Sequence, residues 1–150
     1  MHMFAPILVV LLAAGCSSAD NFRADLFERV NAGDINGVKK IVAAHPEAKD
    51  EYLNDGWTAL TVSARIGKID VVNLLLEEGA SANRLEGGGN SPLFWAIYYS
   101  HEDVVATLLK SGARVHNECD TCEDLVLLAK RKNNEHILKL LIEAEGDRSK

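Results

Sequence analysis

The feature that most constrains this chain is an internal repeat with a period of 33 residues. Gly56-Trp57-Thr58-Ala59-Leu60 returns as Gly89-Asn90-Ser91-Pro92-Leu93, and the register then carries residues 67–80 onto 100–113 without a gap. Val71, Val72, Leu75, Leu76, Gly79 and Ala80 thereby meet Val104, Val105, Leu108, Leu109, Gly112 and Ala113. A fixed period of this length means stacked copies of one supersecondary unit, not a single compact core.

Each copy has the signals of a helix pair. Thr58 or Ser91 can cap a helix start, and Ala59 or Pro92 follows at the first helical position, where a missing backbone donor costs little. Gly67 or Ser100 marks a turn. Residues 70–76 and 103–109 then carry apolar side chains at helical spacing until Gly79 or Gly112 stops the second helix. One such hairpin cannot bury its own apolar face, whereas several stacked units share a continuous core.

Gly-x-Ser-Pro-Leu, the paired valines, the leucine run and Gly-Ala together resemble the ankyrin repeat. Two degenerate copies flank the two good ones. In the first, Gly33, Asp34, Val38, Ile41 and Val42 take the slots of Gly67, Lys68, Val72, Leu75 and Leu76. In the last, Ala129, Asn133, Ile137, Leu138, Leu141 and Ile142 take those of Ala96, Ser100, Val104, Val105, Leu108 and Leu109. Asp25 and Leu125 replace the Pro-like position, and His45-Pro46 replaces Gly-Ala, as suits end units that face water on one side. The resemblance implies an all-α solenoid of four helix-turn-helix units joined by short β-hairpin finger loops. The repeat domain is placed at residues 22–150, with units at about 22–52, 53–85, 86–118 and 119–146.

The N-terminus carries a second signal. Residues 4–14 are uncharged and end in Leu12-Ala13-Ala14-Gly15-Cys16. This apolar run has the length of a signal-peptide core and is short for a membrane-spanning helix. Its end resembles a bacterial lipoprotein box, in which the cysteine is lipidated. Residues 1–15 are therefore expected to be a signal peptide, Cys16 the site of a membrane lipid anchor, and residues 16–21 a tether. Ser17 after Cys16 resembles the sorting pattern of outer-membrane lipoproteins, which implies a periplasmic location. The run lacks Lys or Arg ahead of it, and only His2 and the terminal amine stand there.

Composition narrows the partner. A net charge of −6 with no basic block argues against nucleic acid. Gly87, Gly88 and Gly89 are not a phosphate loop, because no strand precedes them and no Gly-Lys-Ser/Thr follows; in register they fall at a finger tip. No Gly-x-Ser-x-Gly elbow occurs, and the acidic pairs Glu77-Glu78 and Glu123-Asp124 are adjacent, as on solvated faces and helix caps. No catalytic residue, cofactor or metal ligand is assigned, and a non-enzyme is expected.

Cys119-Asp120-Thr121-Cys122 is the one motif with chemistry of its own. The period places it on residues 53–56 and 86–89, in the finger turn. A four-residue turn brings its end Cα atoms within about 7 Å, a separation compatible with a disulfide. In an exported chain these thiols should pair, adding ~2 kcal/mol through so small a loop. A thiol-redox protein working through Cys119 and Cys122 is the alternative. It is disfavoured by the lack of a strand leading into Cys119. Zinc is disfavoured too, since a lone CxxC supplies two ligands and His101, His116 and His136 lack pairing. His116 shares its slot with Asn83, where the family uses a polar side chain to tie down the loop.

Binding remains. Ankyrin-family partners usually sit on the finger tips and the exposed side of each first helix. Carried over, these slots are Tyr52, Asn54, Asp55, Trp57, Arg65 and Ile66, then Leu85, Gly87, Gly88, Asn90, Tyr98 and Tyr99, then Glu118, Asp120, Thr121, Glu123, Arg131 and Lys132, with Asn31 and Ala32 extending the face into the first unit. Six of the nine aromatic residues lie between positions 52 and 99, and a Trp/Tyr/Arg cluster rimmed by polar groups has the character of a binding hot spot. Trp95 shares the inward slot of Val62 and is expected in the core; Phe94 is expected half-buried, and Trp57, Tyr98 and Tyr99 outward. The expectation is a monomeric, non-catalytic binder of an unidentified protein, an adaptor or an immunity-type inhibitor at the bacterial envelope.

Overall fold

A computed structural model describes residues 18–53, 56–116 and 124–147. Eight α-helices follow one another among the described residues: α1 (Ser18–Ala32), α2 (Ile35–Ala44), α3 (Ala59–Ile66), α4 (Ile69–Glu77), α5 (Pro92–Tyr98), α6 (Glu102–Lys110), α7 (Leu125–Arg131) and α8 (Glu135–Asp147), with a 3-10 turn (Pro46–Lys49) after α2. They form four antiparallel pairs. The inner helices α1, α3, α5 and α7 stack side by side, and α2, α4, α6 and α8 make the outer layer. Helix begins at Ser18, inside the segment read as a tether.

The repeat is legible in the backbone. Thr58, Ser91 and Asp124, one period apart, all cap an inner helix: each side chain accepts a hydrogen bond from the amide three residues on, at 3.1, 3.1 and 2.9 Å. Thr58 Oγ1 also lies 2.8 Å from Thr61 Oγ1, which satisfies both buried hydroxyls. The turn inside each pair returns as well. Gly33, Gly67, Ser100 and Asn133 adopt left-handed backbone with φ of 74°, 73°, 59° and 53°. Glycine does this without steric cost, whereas serine and asparagine place a Cβ against the following carbonyl.

Leu60, Leu93 and Leu128 of the inner helices and Leu75, Leu108, Ile137 and Leu141 of the outer ones are sealed from solvent. Full burial stabilises each by about 1.5–3 kcal/mol relative to exposure. Polar ties between units repeat too. Asp50 accepts from the Ser81 amide at 2.8 Å, and one period on Asn83 accepts from the Arg114 amide at 2.8 Å while donating to the Gly112 carbonyl at 3.0 Å. This is the loop-tying role expected at Asn83.

The fingers depart from expectation. Among the described residues they hold one isolated antiparallel bridge, Tyr52 with Thr58, in place of paired strands. Each loop is too short to extend a ladder. Leu53 bonds the Trp57 carbonyl at 2.7 Å and Glu86 the Asn90 carbonyl at 2.9 Å, and the chain then enters a helix. Adjacent fingers touch through the Gly87 amide and the Gly56 carbonyl at 3.1 Å.

Candidate binding face

Aromatic side chains from two neighbouring units meet beside the fingers. Trp57 precedes α3, and Trp95, Tyr98 and Tyr99 lie on or just after α5. The Trp57 and Trp95 ring centroids are 5.0 Å apart, Trp95 and Tyr99 stack at 6.2 Å, and Tyr98 meets Tyr99 edge-on at 5.2 Å. Phe94 packs beneath, 5.2 Å from Trp95 and 6.0 Å from Tyr98. Offset and edge-to-face pairs of this kind add about 0.5–1.5 kcal/mol each beyond their area burial.

Cations sit on these rings. The Arg65 guanidinium is 5.3 Å from the Trp57 centroid and 5.9 Å from that of Tyr99, and the Lys132 ammonium is 4.2 Å from that of Tyr98. His101 holds the cluster from behind: Nε2 lies 3.1 Å from the Arg65 carbonyl, and the ring stacks with Tyr99 at 6.3 Å. Beside the first finger, Arg84 covers Tyr52 at 4.5 Å, and the Tyr52 hydroxyl donates to the Leu85 carbonyl at 3.1 Å.

The residues singled out from sequence fall into three groups. Tyr52, Tyr98 and Tyr99 are exposed at 42%, 37% and 45%, and Arg65 and Arg131 are also exposed. Trp57, Ile66, Leu85 and Asn90 are half-buried. Trp57 and Ile66 pack on the core, and Asn90 is bonded through its amide and side chain to Glu86. Asn54, Asp55, Cys16, Cys119 and Cys122 lie outside the described residues.

Two aromatic assignments are corrected. Phe94, expected half-buried, is 8% exposed and belongs to the core, while Trp95, expected there, is half-buried within the surface cluster. The indole is too large for the slot that Val62 fills, so it leans out against Trp57. Its Nε1 is nonetheless covered, with no hydrogen-bond partner from the described protein groups.

Sequence reasoning missed Glu86. This side chain is 8% exposed, yet its carboxylate accepts from the Gly88 amide at 2.7 Å and from the Asn90 amide and side chain at 3.1 and 2.8 Å. It organises the second finger from within. Its slot is that of Leu53, an apolar residue, and the period alone therefore gave no sign of it. Among the described residues no group of three or more His, Cys, Asp or Glu could hold a metal ion, and no helix is long and apolar enough to cross a membrane.

Stacked helix pairs with an exposed aromatic and cationic face define a repeat solenoid. A family model described as ankyrin repeats in three copies matches residues 26–119, and the chain belongs to the ankyrin-repeat family. Among its relatives, a probable E3 ubiquitin-protein ligase XBOS31 of Oryza sativa subsp. japonica is 31% identical over 99 residues, covering 65% of this chain and 22% of that protein. The ankyrin repeat and SAM domain-containing protein 6 of Rattus norvegicus is 31% identical over 123 residues, covering 79% and 14%. Serine/threonine-protein kinase 12 of Arabidopsis thaliana is 37% identical over 84 residues, covering 56% and 18%. The chain thus spans under a quarter of each of these relatives. Ankyrin repeats generally mediate protein–protein interaction.

Proposed function

We propose that this protein is a non-catalytic adaptor or immunity-type inhibitor that grips one partner protein on the face built from Tyr98, Tyr99 and Arg65. The observation that carries this reading is the exposure of both tyrosines and Arg65 over a bed of packed rings. Aromatic and arginine side chains held rigid in advance lose little entropy on binding, which is why they dominate hot spots. The Leu12–Cys16 sequence supports a location at the bacterial envelope, with the chain exported, lipidated on Cys16 and held as a periplasmic outer-membrane lipoprotein monomer.

The test is affinity purification from the envelope fraction of the native host, comparing wild type with Tyr98→Ala/Tyr99→Ala. Exposed tyrosines suit this test better than Trp57, whose half-buried ring supports Trp95. One stoichiometric protein, lost in the double variant, is the expected result. No such protein, together with Cys119 and Cys122 cycling between thiol and disulfide, would transfer the function to the cysteine pair.

A further inference from the structure

Arg65 and Lys132 close the two ends of a row that runs Arg65, Tyr99, Tyr98, Lys132 across three units, with successive separations of 5.9, 5.2 and 4.2 Å. Three cations of the described residues meet carboxylates: Arg23 pairs with Glu51, Arg29 with Asp25 and Asp34, and Lys139 with Glu143. Arg65 and Lys132 make no ion pair with a described carboxylate. A chain of net charge −6 thus holds these two cations on π-faces, at the two ends of the surface read above as the binding face. Charge kept in this way remains available to an incoming anion, because a ring under a cation leaves its outward N–H donors free.

Resting on that reading of the face, we propose that the partner docks through an acidic segment. One carboxylate meets Arg65, another meets Lys132, and an apolar or aromatic side chain between them packs on Tyr98 and Tyr99. A protein carboxylate fits better than a nucleic acid. Single strands also stack on aromatics, but they require a positive groove along the whole phosphate backbone, and the net charge of −6 opposes a long polyanion. Two isolated cations spaced by rings suit two discrete carboxylates.

The experiment selects displayed random short peptides against the immobilised full chain and measures the winners by tryptophan fluorescence. Both tryptophans of the chain, Trp57 and Trp95, lie in the cluster and report directly. Winners should carry Asp or Glu on both sides of an aromatic residue. Their affinity should fall ~10–100-fold in Arg65→Gln and in Lys132→Gln, the loss of one charge-assisted hydrogen bond each. Arg84→Gln, a cation over a ring but beside Glu47, Asp50 and Glu51, should bind as wild type. The exposed charge swap Arg65→Glu/Lys132→Glu should select basic peptides instead, with circular dichroism confirming its fold. Neutral or basic winners that still require Tyr98 would sink the acidic ligand and leave the face standing. Winners indifferent to Tyr98→Ala and to both cations would sink the face itself. A fluorescent oligothymidylate that binds more tightly than the acidic peptides and displaces them would overturn the proposal in favour of nucleic acid.

Discussion

Replacing Gly56 by alanine probes how one unit is keyed to the next. Gly56 has φ +80°, and a Cβ built there would stand 2.8 Å from the Gly87 Cα and 2.9 Å from its nitrogen. The obstacle is backbone, so no side-chain rotation relieves it. Gly112 is the matched control, with φ +85° and nothing within 4 Å of a Cβ. Left-handed backbone costs a non-glycine residue about 1–2 kcal/mol, and a stiffer unfolded chain offsets about 0.5–1 of that. Gly112→Ala should therefore destabilise by about 1 kcal/mol. Gly56→Ala carries the same strain and also forces apart the Gly87 amide and Gly56 carbonyl, now 3.1 Å apart. That lost bond adds about 1 kcal/mol, and displacement of the finger adds to it, for a total of about 2–3 kcal/mol. With a urea slope of about 2 kcal/mol/M, the midpoints should fall by about 0.5 M for Gly112→Ala and by more than 1 M for Gly56→Ala. A broader transition in Gly56→Ala would show that the units have lost cooperativity. Equal midpoint shifts in the two variants would refute the finger-to-finger contact.

Three further outcomes are expected. Ser100→Gly relieves the left-handed serine at φ 59° and should stabilise by about 0.5–1 kcal/mol, read as a higher urea midpoint; no gain would mean that the turn is not strained. Phe94→Ala should cost about 3–5 kcal/mol because the ring is core, whereas exposed Tyr98→Ala should cost about 1 kcal/mol, as thermal unfolding of the two variants will show. The Asp34 carboxyl is held below its ordinary value of 3.8, first by the Gly37 amide at 2.9 Å and then by Arg29 at 2.6 Å. A lowered pKa stabilises the fold above the ordinary carboxylate value, and that contribution is lost as pH falls through the lowered one. Wild type should therefore melt above Asp34→Ala near neutral pH, and the gap should close in strong acid; a gap independent of pH would remove the charge from the explanation.

Much of this protein was determined by its sequence, because the information is periodic and local. Thr58, Ser91 and Asp124 cap inner helices, and Gly67, Ser100 and Asn133 make the turns, since a hydroxyl or carboxylate beside a helix start and a residue tolerant of positive φ act within a few positions of themselves. The four-unit all-α stack follows from the period, as no single unit can bury its apolar stripe. Slots also placed Tyr98, Tyr99 and Arg65 outward. Tertiary structure alone decided what depends on side-chain volume and on contacts between units. The period assigns Trp95 the place of Val62 and says nothing of an indole too large for it. Only packing exchanges the expected roles of Trp95 and Phe94. Glu86 occupies an apolar slot, and its burial makes sense once the finger folds its amides around the carboxylate. The repeat register put Arg65 and Lys132 in outward slots but not on rings; that required neighbouring units to bring Tyr99 and Tyr98 to them.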